Sequence, residues 1–132
     1  MAAARARAEL TINGRTWKVA TVEQLRQRLK AVRAEQFSEV WLRRSDHTSL
    51  AILVNRGSAW LTYFRDDAGH SFSSRNPTYV GPEDEMMEFL LSNGQRDEYP
   101  VAYTITTAEA LRAAEHYFRT GERSPRVTWE ED

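Results

Sequence analysis

Three short β-type segments follow one another between residues 39 and 65, and this succession constrains the fold more than any other feature. The segments 39–43, 49–55 and 59–65 are rich in Val, Ile, Leu, Trp and Tyr, which strands favour. Turn-forming stretches such as Arg56-Gly57-Ser58 separate them. Because consecutive strands joined by short loops pair with their neighbours, we predict an antiparallel meander.

Further strand patterns flank this meander. Asn13-Gly14 lies between the alternating segments 10–12 and 16–19, and an Asn-Gly pair in this setting is a strong hairpin signal. The chain therefore opens with a predicted hairpin. Later segments with strand character lie at 70–75, 86–91, 99–104 and 126–130.

Two segments carry helical patterns. Each begins at a capping box, Thr21 with Gln24 and Thr106 with Glu109. Apolar residues then recur at helical spacing, to about residue 35 in the first segment and up to Gly121 in the second. We therefore predict one α+β domain over residues 1–132, a mostly antiparallel sheet of six to seven strands packed with two amphipathic helices. Residues 1–8 are expected to be flexible.

The composition limits the compartment and the covalent chemistry. The sequence has no cysteine, which excludes disulfides, thiolate nucleophiles and cysteine zinc sites and favours a reducing compartment. It contains neither the apolar core of a signal peptide nor a run of 18 apolar residues. We expect a cytoplasmic protein that does not contact a membrane.

Residues able to support catalysis are scattered. His47, His70 and His116 share no metal-ligand spacing, and no nucleophile motif is present. The carboxylate runs 66–67 and 83–85 fall in predicted turns, where solvation keeps acid–base properties ordinary. We predict no catalytic residue, no metal and no cofactor, and hence that the protein is not an enzyme.

The charge is unevenly distributed. Residues 1–44 hold ten Lys or Arg and four Asp or Glu, a balance of +6, whereas residues 45–132 hold eight and fifteen, a balance of −7. An acidic larger part argues against direct binding of nucleic acid and suits a basic protein partner.

The segment 60–64 has two possible roles. Alternation places Trp60, Thr62 and Phe64 on one sheet face, and Leu61 and Tyr63 on the other. The strand is therefore either a two-faced core strand or one whose aromatic face meets a partner, and the pattern alone leaves both open.

Several residues carry a resemblance to a known family. They are the segment 63–67, Tyr99-Pro100, the run 110–122, and Pro125, Val127, Trp129 and Glu130. The chain resembles the first-numbered immunity family of bacterial polymorphic toxin systems over roughly residues 40–130. The resemblance is strongest over about the last 25 residues, where a helix, a glycine stop, a proline and a strand follow one another.

The resemblance implies a partner and a mode of action. Members are similar to antidotes that bind a cognate secreted toxin, often a nucleic-acid (cytidine) deaminase, and a 1:1 heterodimer that occludes the substrate cleft is expected. On this basis we predict toxin-binding residues of two kinds. The apolar anchors are Trp60 and Tyr79, and the carboxylates are Asp66, Asp67, Glu83, Asp84, Glu85, Asp97 and Glu98. The alternatives are an adaptor or regulatory module for a partner that is no toxin, and an enzyme of unfamiliar arrangement.

Overall fold

The computed structural model describes residues 7–65 and 70–132. Within them lie two α-helices, α1 (Val22–Leu29) and α2 (Thr107–Thr120). The strands, in chain order, are β1 (Ala8–Ile12), β2 (Arg15–Val19), β3 (Phe37–Arg44), β4 (Ser49–Asn55), β5 (Ser58–Phe64), β6 (Ser71–Arg75), β7 (Met86–Leu90), β8 (Arg96–Pro100), β9 (Ile105–Thr106) and β10 (Thr128–Glu131). Short 3₁₀ helices span Lys30–Ala34 and Val101–Tyr103.

Eight of these strands form one antiparallel sheet. Its order is β10-β6-β5-β4-β3-β1-β2, with β9 paired to the other end of β5. The predicted meander is present as β3-β4-β5-β6, and the predicted opening hairpin turns at Asn13 and Gly14, both at positive φ. The α+β class with two helices on a large antiparallel sheet is therefore confirmed.

Strands β7 and β8 lie outside this sheet and pair only with each other. The strand predicted at 99–104 is wrong, because the chain pairs earlier, over Arg96–Pro100, and then enters the 3₁₀ helix. Pro100 ends the pairing opposite Met86, since proline has no N–H for a continuing ladder. The polar residues 96–98 have weak strand propensity, and pairing with β7 overrides it.

The first described residues are already ordered by the sheet. Ala8 is the first residue of β1, and the Arg7 N–H donates to Val19 O at 2.8 Å. The predicted flexible segment 1–8 otherwise falls on residues 1–6, which lie outside the described part of the chain.

Both helices pack on the same face of the main sheet, here called the helix face. Alternate residues of β1 and β3–β5 point into this layer and are almost fully buried: Leu10, Val40, Leu42, Leu50, Ile52, Val54, Leu61 and Tyr63. From the helices, Leu25, Tyr117 and Phe118 meet them. Burial raises the pKa of the Tyr117 hydroxyl to about 12, although its hydrogen bond with Thr48 Oγ1 acts in the opposite direction.

Helix α2 begins and ends as its sequence indicates. Thr106 Oγ1 accepts from the Glu109 N–H at 3.1 Å, which is the N-cap bond of the predicted capping box, and the Thr106 hydroxyl donates to Glu109 Oε1 at 2.8 Å. Gly121 ends the helix at φ 76°. Neither α1 nor α2 has the length and apolar character needed to cross a bilayer.

We expect Thr106→Ala to lower the free energy of unfolding by about 1 kcal/mol, because one N–H of the first turn of α2 loses its acceptor. Urea denaturation followed by far-UV circular dichroism measures this change. Thr106→Ser keeps the hydroxyl and should recover most of the loss. Equal destabilisation by both variants would mean that the cap is not the cause.

Candidate partner-binding surface

The second face of the main sheet, here called the open face, is only partly covered. The β7–β8 hairpin packs across it, and Phe89 of the hairpin is completely buried. Asn55 Nδ2 donates to Glu88 O at 2.8 Å, and Ser92 donates to Glu39 Oε1 through its N–H at 2.9 Å and its hydroxyl at 2.7 Å. These bonds fix the hairpin over one part of the sheet and leave the rest uncovered.

A groove lies where the hairpin meets the uncovered part, and we call it the aromatic groove. It encloses about 170 Å³. Trp41, Trp60 and Tyr99 form its aromatic walls, and Ala51, Leu53 and Leu91 its aliphatic ones. Glu39 and Thr62 are its polar lining residues. Trp60 therefore lies on the open face, as alternation predicts, while Leu61 and Tyr63 are in the core.

The aromatic walls are held by stacking. The rings of Trp60 and Tyr99 stack with centroids 4.1 Å apart, and Trp41 stacks on Phe64 at 5.6 Å. The Trp60 indole N–H is buried and has no acceptor among the described residues. Buried donors without a partner are rare and cost about 1–3 kcal/mol. The buried indole N–H of Trp60 is therefore energetically unfavourable within this fold.

Glu39 supplies a carboxylate to the groove. Burial alone would raise its pKa, but the hydrogen bonds from the Ser92 N–H, the Ser92 hydroxyl and Trp41 Nε1 outweigh burial, and the pKa of Glu39 lies below its ordinary value. The side chain is therefore ionised at neutral pH. Near it, Asp97 accepts hydrogen bonds from Gln95 Nε2 at 2.8 Å and from the Tyr99 hydroxyl at 3.3 Å.

The segment 76–85, which we call the acidic loop, leads into β7. Tyr79 holds the loop together, since its hydroxyl lies 2.8 Å from both Pro82 O and Glu85 Oε2. Its ring occupies the space beside Gly81, where a Cβ would come within 2.5 Å of the Tyr79 hydroxyl oxygen. Tyr79 is thus committed to the loop's own structure.

The tip of the acidic loop presents an apolar residue beside carboxylates. Val80 is 96% exposed, and Met86 at the start of β7 is 46% exposed. Glu83 and Asp84 are exposed, and no Lys, Arg or His in the described ranges forms an ion pair with them. The sequence analysis missed Val80, because a single aliphatic residue in a loop gives no periodic signal.

The structure brings most of the predicted residues to one side of the molecule. Trp60 and Asp97 belong to the aromatic groove and its edge, while Tyr79 and the carboxylates of residues 83–85 belong to the acidic loop. The end of the acidic loop is tied to the chain just beyond β8, because Glu85 O accepts from the Val101 N–H, two residues after the groove residue Tyr99.

Of the predicted residues that the structure describes, Glu98 stands apart from these patches. Glu98 lies opposite Glu88 on the hairpin face that points away from the sheet. Asp66 and Asp67 lie outside the described residues. In the ranges 7–65 and 70–132, no three His, Asp or Glu side chains are grouped as metal ligands.

The chain matches the model of a known protein family. The family model described as Immunity protein Imm1 matches residues 13–131, a range that includes the aromatic groove, the acidic loop and both helices. No curated protein sequence matches the chain.

Proposed function

Because the chain belongs to the Imm1 family of immunity proteins, we propose that it neutralises a cognate secreted toxin of the nucleic-acid (cytidine) deaminase class by occluding the toxin's substrate cleft. The partner is bound as a 1:1 heterodimer in the cytoplasm. The protein makes and breaks no bonds in this process, and its effect is to exclude substrate.

The observation that carries this proposal is the acidic loop. Glu83 and Asp84 are exposed and make no ion pair with the described residues, and Val80 in the same loop has almost its whole side chain in solvent. Carboxylates that are not used within the fold favour approach to a basic surface, and an exposed aliphatic side chain provides area to bury.

A nucleic-acid deaminase offers a surface of the complementary kind. Its substrate carries one phosphate per nucleotide, so the cleft needs basic side chains to hold it. The acidic loop presents carboxylates where phosphates would otherwise sit. A protein that occupies this cleft competes directly with the substrate, and it needs no contact with the catalytic metal of the toxin to inhibit it.

The proposal is tested with the toxin encoded beside this chain. We expect the double variant Glu83→Lys with Asp84→Lys to weaken binding to that toxin roughly 100-fold in low salt, because two attractive contacts become repulsive. Isothermal titration calorimetry at several salt concentrations measures the change. The loss should shrink at high salt, because the Debye length falls from about 10 Å at 0.1 M to about 3 Å at 1 M and exposed charges are then screened.

The matched control changes the net charge of the protein by the same amount as the double variant at Glu83 and Asp84. Glu35→Lys with Glu122→Lys also reverses two exposed carboxylates, but far from the acidic loop in sequence, and it should change the affinity by less than about 3-fold. Equal losses in the two double variants would show that only net charge matters. If the toxin binds but releases no ammonia from cytidine in single-stranded nucleic acid, the deaminase assignment is wrong. If the unmodified protein does not bind the toxin, the proposal itself is wrong.

A further inference from the structure

We propose that the aromatic groove is the receptor for one arginine side chain of the toxin, whose guanidinium group packs against the aromatic lining of the groove and pairs with Glu39. This inference rests on the proposed function, because it assigns part of the same interface. It adds a specific chemical class of occupant and a second patch beside the acidic loop.

The walls have the chemistry that a guanidinium group recognises. Indole and phenol rings attract a cation through their negative faces, and tryptophan does so most strongly. Trp41, Trp60 and Tyr99 all line one small volume, although Trp60 and Tyr99 cover one face of each other and Trp41 already contacts Phe64 and Arg43. A guanidinium group is planar and weakly hydrated, so it stacks on aromatic faces more readily than a lysine ammonium group.

The carboxylate in the groove has capacity left for this partner. Glu39 Oε1 accepts two hydrogen bonds from Ser92, and Oε2 accepts one from Trp41 Nε1 at 3.1 Å. A carboxylate has about four acceptor positions, so one remains. A charge-assisted bond from an incoming N–H would use it, and the existing bonds already hold the carboxylate in place.

The dimensions fit a single side chain. A cavity of about 170 Å³ has room for roughly five waters at about 30 Å³ each, which is comparable to one long side chain. It is too small for a loop or a helix of the partner. One side chain that reaches in from outside matches this volume.

The groove also differs in charge from the larger surface depressions. Two depressions of about 660 Å³ lie elsewhere, and arginines line both of them, for example Arg33 with Arg56 and Arg112 with Arg119. The described residues that line the aromatic groove include no Lys or Arg. This difference makes the groove the described depression best suited to an external cation.

The chain already uses the same contact within its own fold. The guanidinium group of Arg43 lies 5.0 Å from the centroid of the Trp41 ring, and that of Arg28 lies 4.6 Å from the Trp17 ring. Trp17 and Trp41 thus each have an internal arginine partner, whereas Trp60 stacks on Tyr99 and has no arginine partner among the described residues. These pairs show that guanidinium–indole packing is compatible with this surface.

The first test needs no toxin. Titration of the ¹⁵N-labelled full chain with N-acetyl-arginine amide should shift the indole N–H resonances of Trp41 and Trp60 in a saturable manner, while those of Trp17 and Trp129 serve as internal controls. N-acetyl-citrulline amide has the same shape without the charge and should shift them at least 5-fold less at equal concentration. Equal shifts for all four indoles, or for both compounds, would overturn the proposal. A lysine probe that binds as well as the arginine probe would overturn the guanidinium assignment.

The second test closes the groove and uses the toxin. Ala51→Leu adds three carbons to the groove lining without removing a contact, and we expect it to weaken toxin binding at least 10-fold. Ala34→Leu adds the same three carbons at an exposed position that does not line the groove, and it should bind within about 2-fold of the unmodified protein. Circular dichroism melting of both variants establishes that each is folded, and Thr62→Leu closes the same groove if Ala51→Leu does not fold.

The outcomes separate this inference from the proposed function. If Ala51→Leu and Thr62→Leu bind the toxin normally while the double variant at Glu83 and Asp84 does not, the arginine receptor is wrong and the proposed function stands. If the unmodified protein does not bind the toxin, the proposed function is wrong, and the arginine titration still decides whether the groove takes a guanidinium group.

Discussion

Replacing Phe118 by alanine is expected to lower the free energy of unfolding by about 3–5 kcal/mol, the range for a buried aromatic residue in a core. Phe118 lies on α2 with no exposed surface and packs in the layer between the helices and the main sheet. Its removal leaves a cavity that this close-packed layer closes only in part. A loss of this size is a large share of the total free energy of unfolding, which is about 5–15 kcal/mol for a typical domain.

Urea denaturation monitored by far-UV circular dichroism measures this loss as a lower midpoint. Leu111→Ala is the matched control, because Leu111 lies on the same helix but is only partly buried. We expect it to cost less than half as much. A Phe118→Ala protein with an unchanged midpoint would mean that α2 contributes little to the core, contrary to the burial of its inner face.

Replacing Phe89 by alanine is expected to have a different result, which is local opening of the β7–β8 hairpin. Phe89 is fully buried between the hairpin and the open face, and the hairpin shares no backbone pairing with the main sheet. The substitution removes about 3–5 kcal/mol of packing free energy. This loss therefore destabilises the docked state of the hairpin. Elements held by few contacts open in separate steps while the rest of the fold persists.

Two probes distinguish local opening from global unfolding. Limited proteolysis of Phe89→Ala should cut within residues 86–100 at least 10-fold faster than in the unmodified protein, while far-UV circular dichroism keeps most of its signal. Leu90→Ala is the control, since Leu90 is on the opposite side of the same strand, and it should leave the cutting rate within about 2-fold. If protection of residues 86–100 from proteolysis and the far-UV circular dichroism signal are lost at the same urea concentration, the hairpin and the sheet unfold as a unit.

Most of the secondary structure was predictable from local patterns. The Asn13-Gly14 turn, the capping boxes at Thr21 and Thr106 and the glycine stop at Gly121 all depend on residues within one turn of each other. Their physical causes are local: hydrogen bonds to free N–H groups and tolerance of positive φ. For this reason the structure reproduces them.

The candidate surface was less predictable. The alternation in β5 placed Trp60 opposite Leu61, but it did not say which face the helices cover. Tyr79 was predicted as an apolar anchor for the toxin. Its hydroxyl lies against Pro82 O and Glu85 Oε2 within the loop, and the neighbouring Val80 is the more exposed residue. Whether any of the predicted residues contacts the toxin stays a prediction.

The sequence by itself determined the α+β class, the meander and the two capped helices, because each follows from hydrogen bonds and apolar spacing between near neighbours. Only the tertiary structure decided that β7 and β8 leave the main sheet and cover part of its open face, which creates the aromatic groove from residues as distant as Glu39 and Tyr99. The physical reason is that long-range pairing depends on which surfaces remain to be buried once the helices have covered the other face.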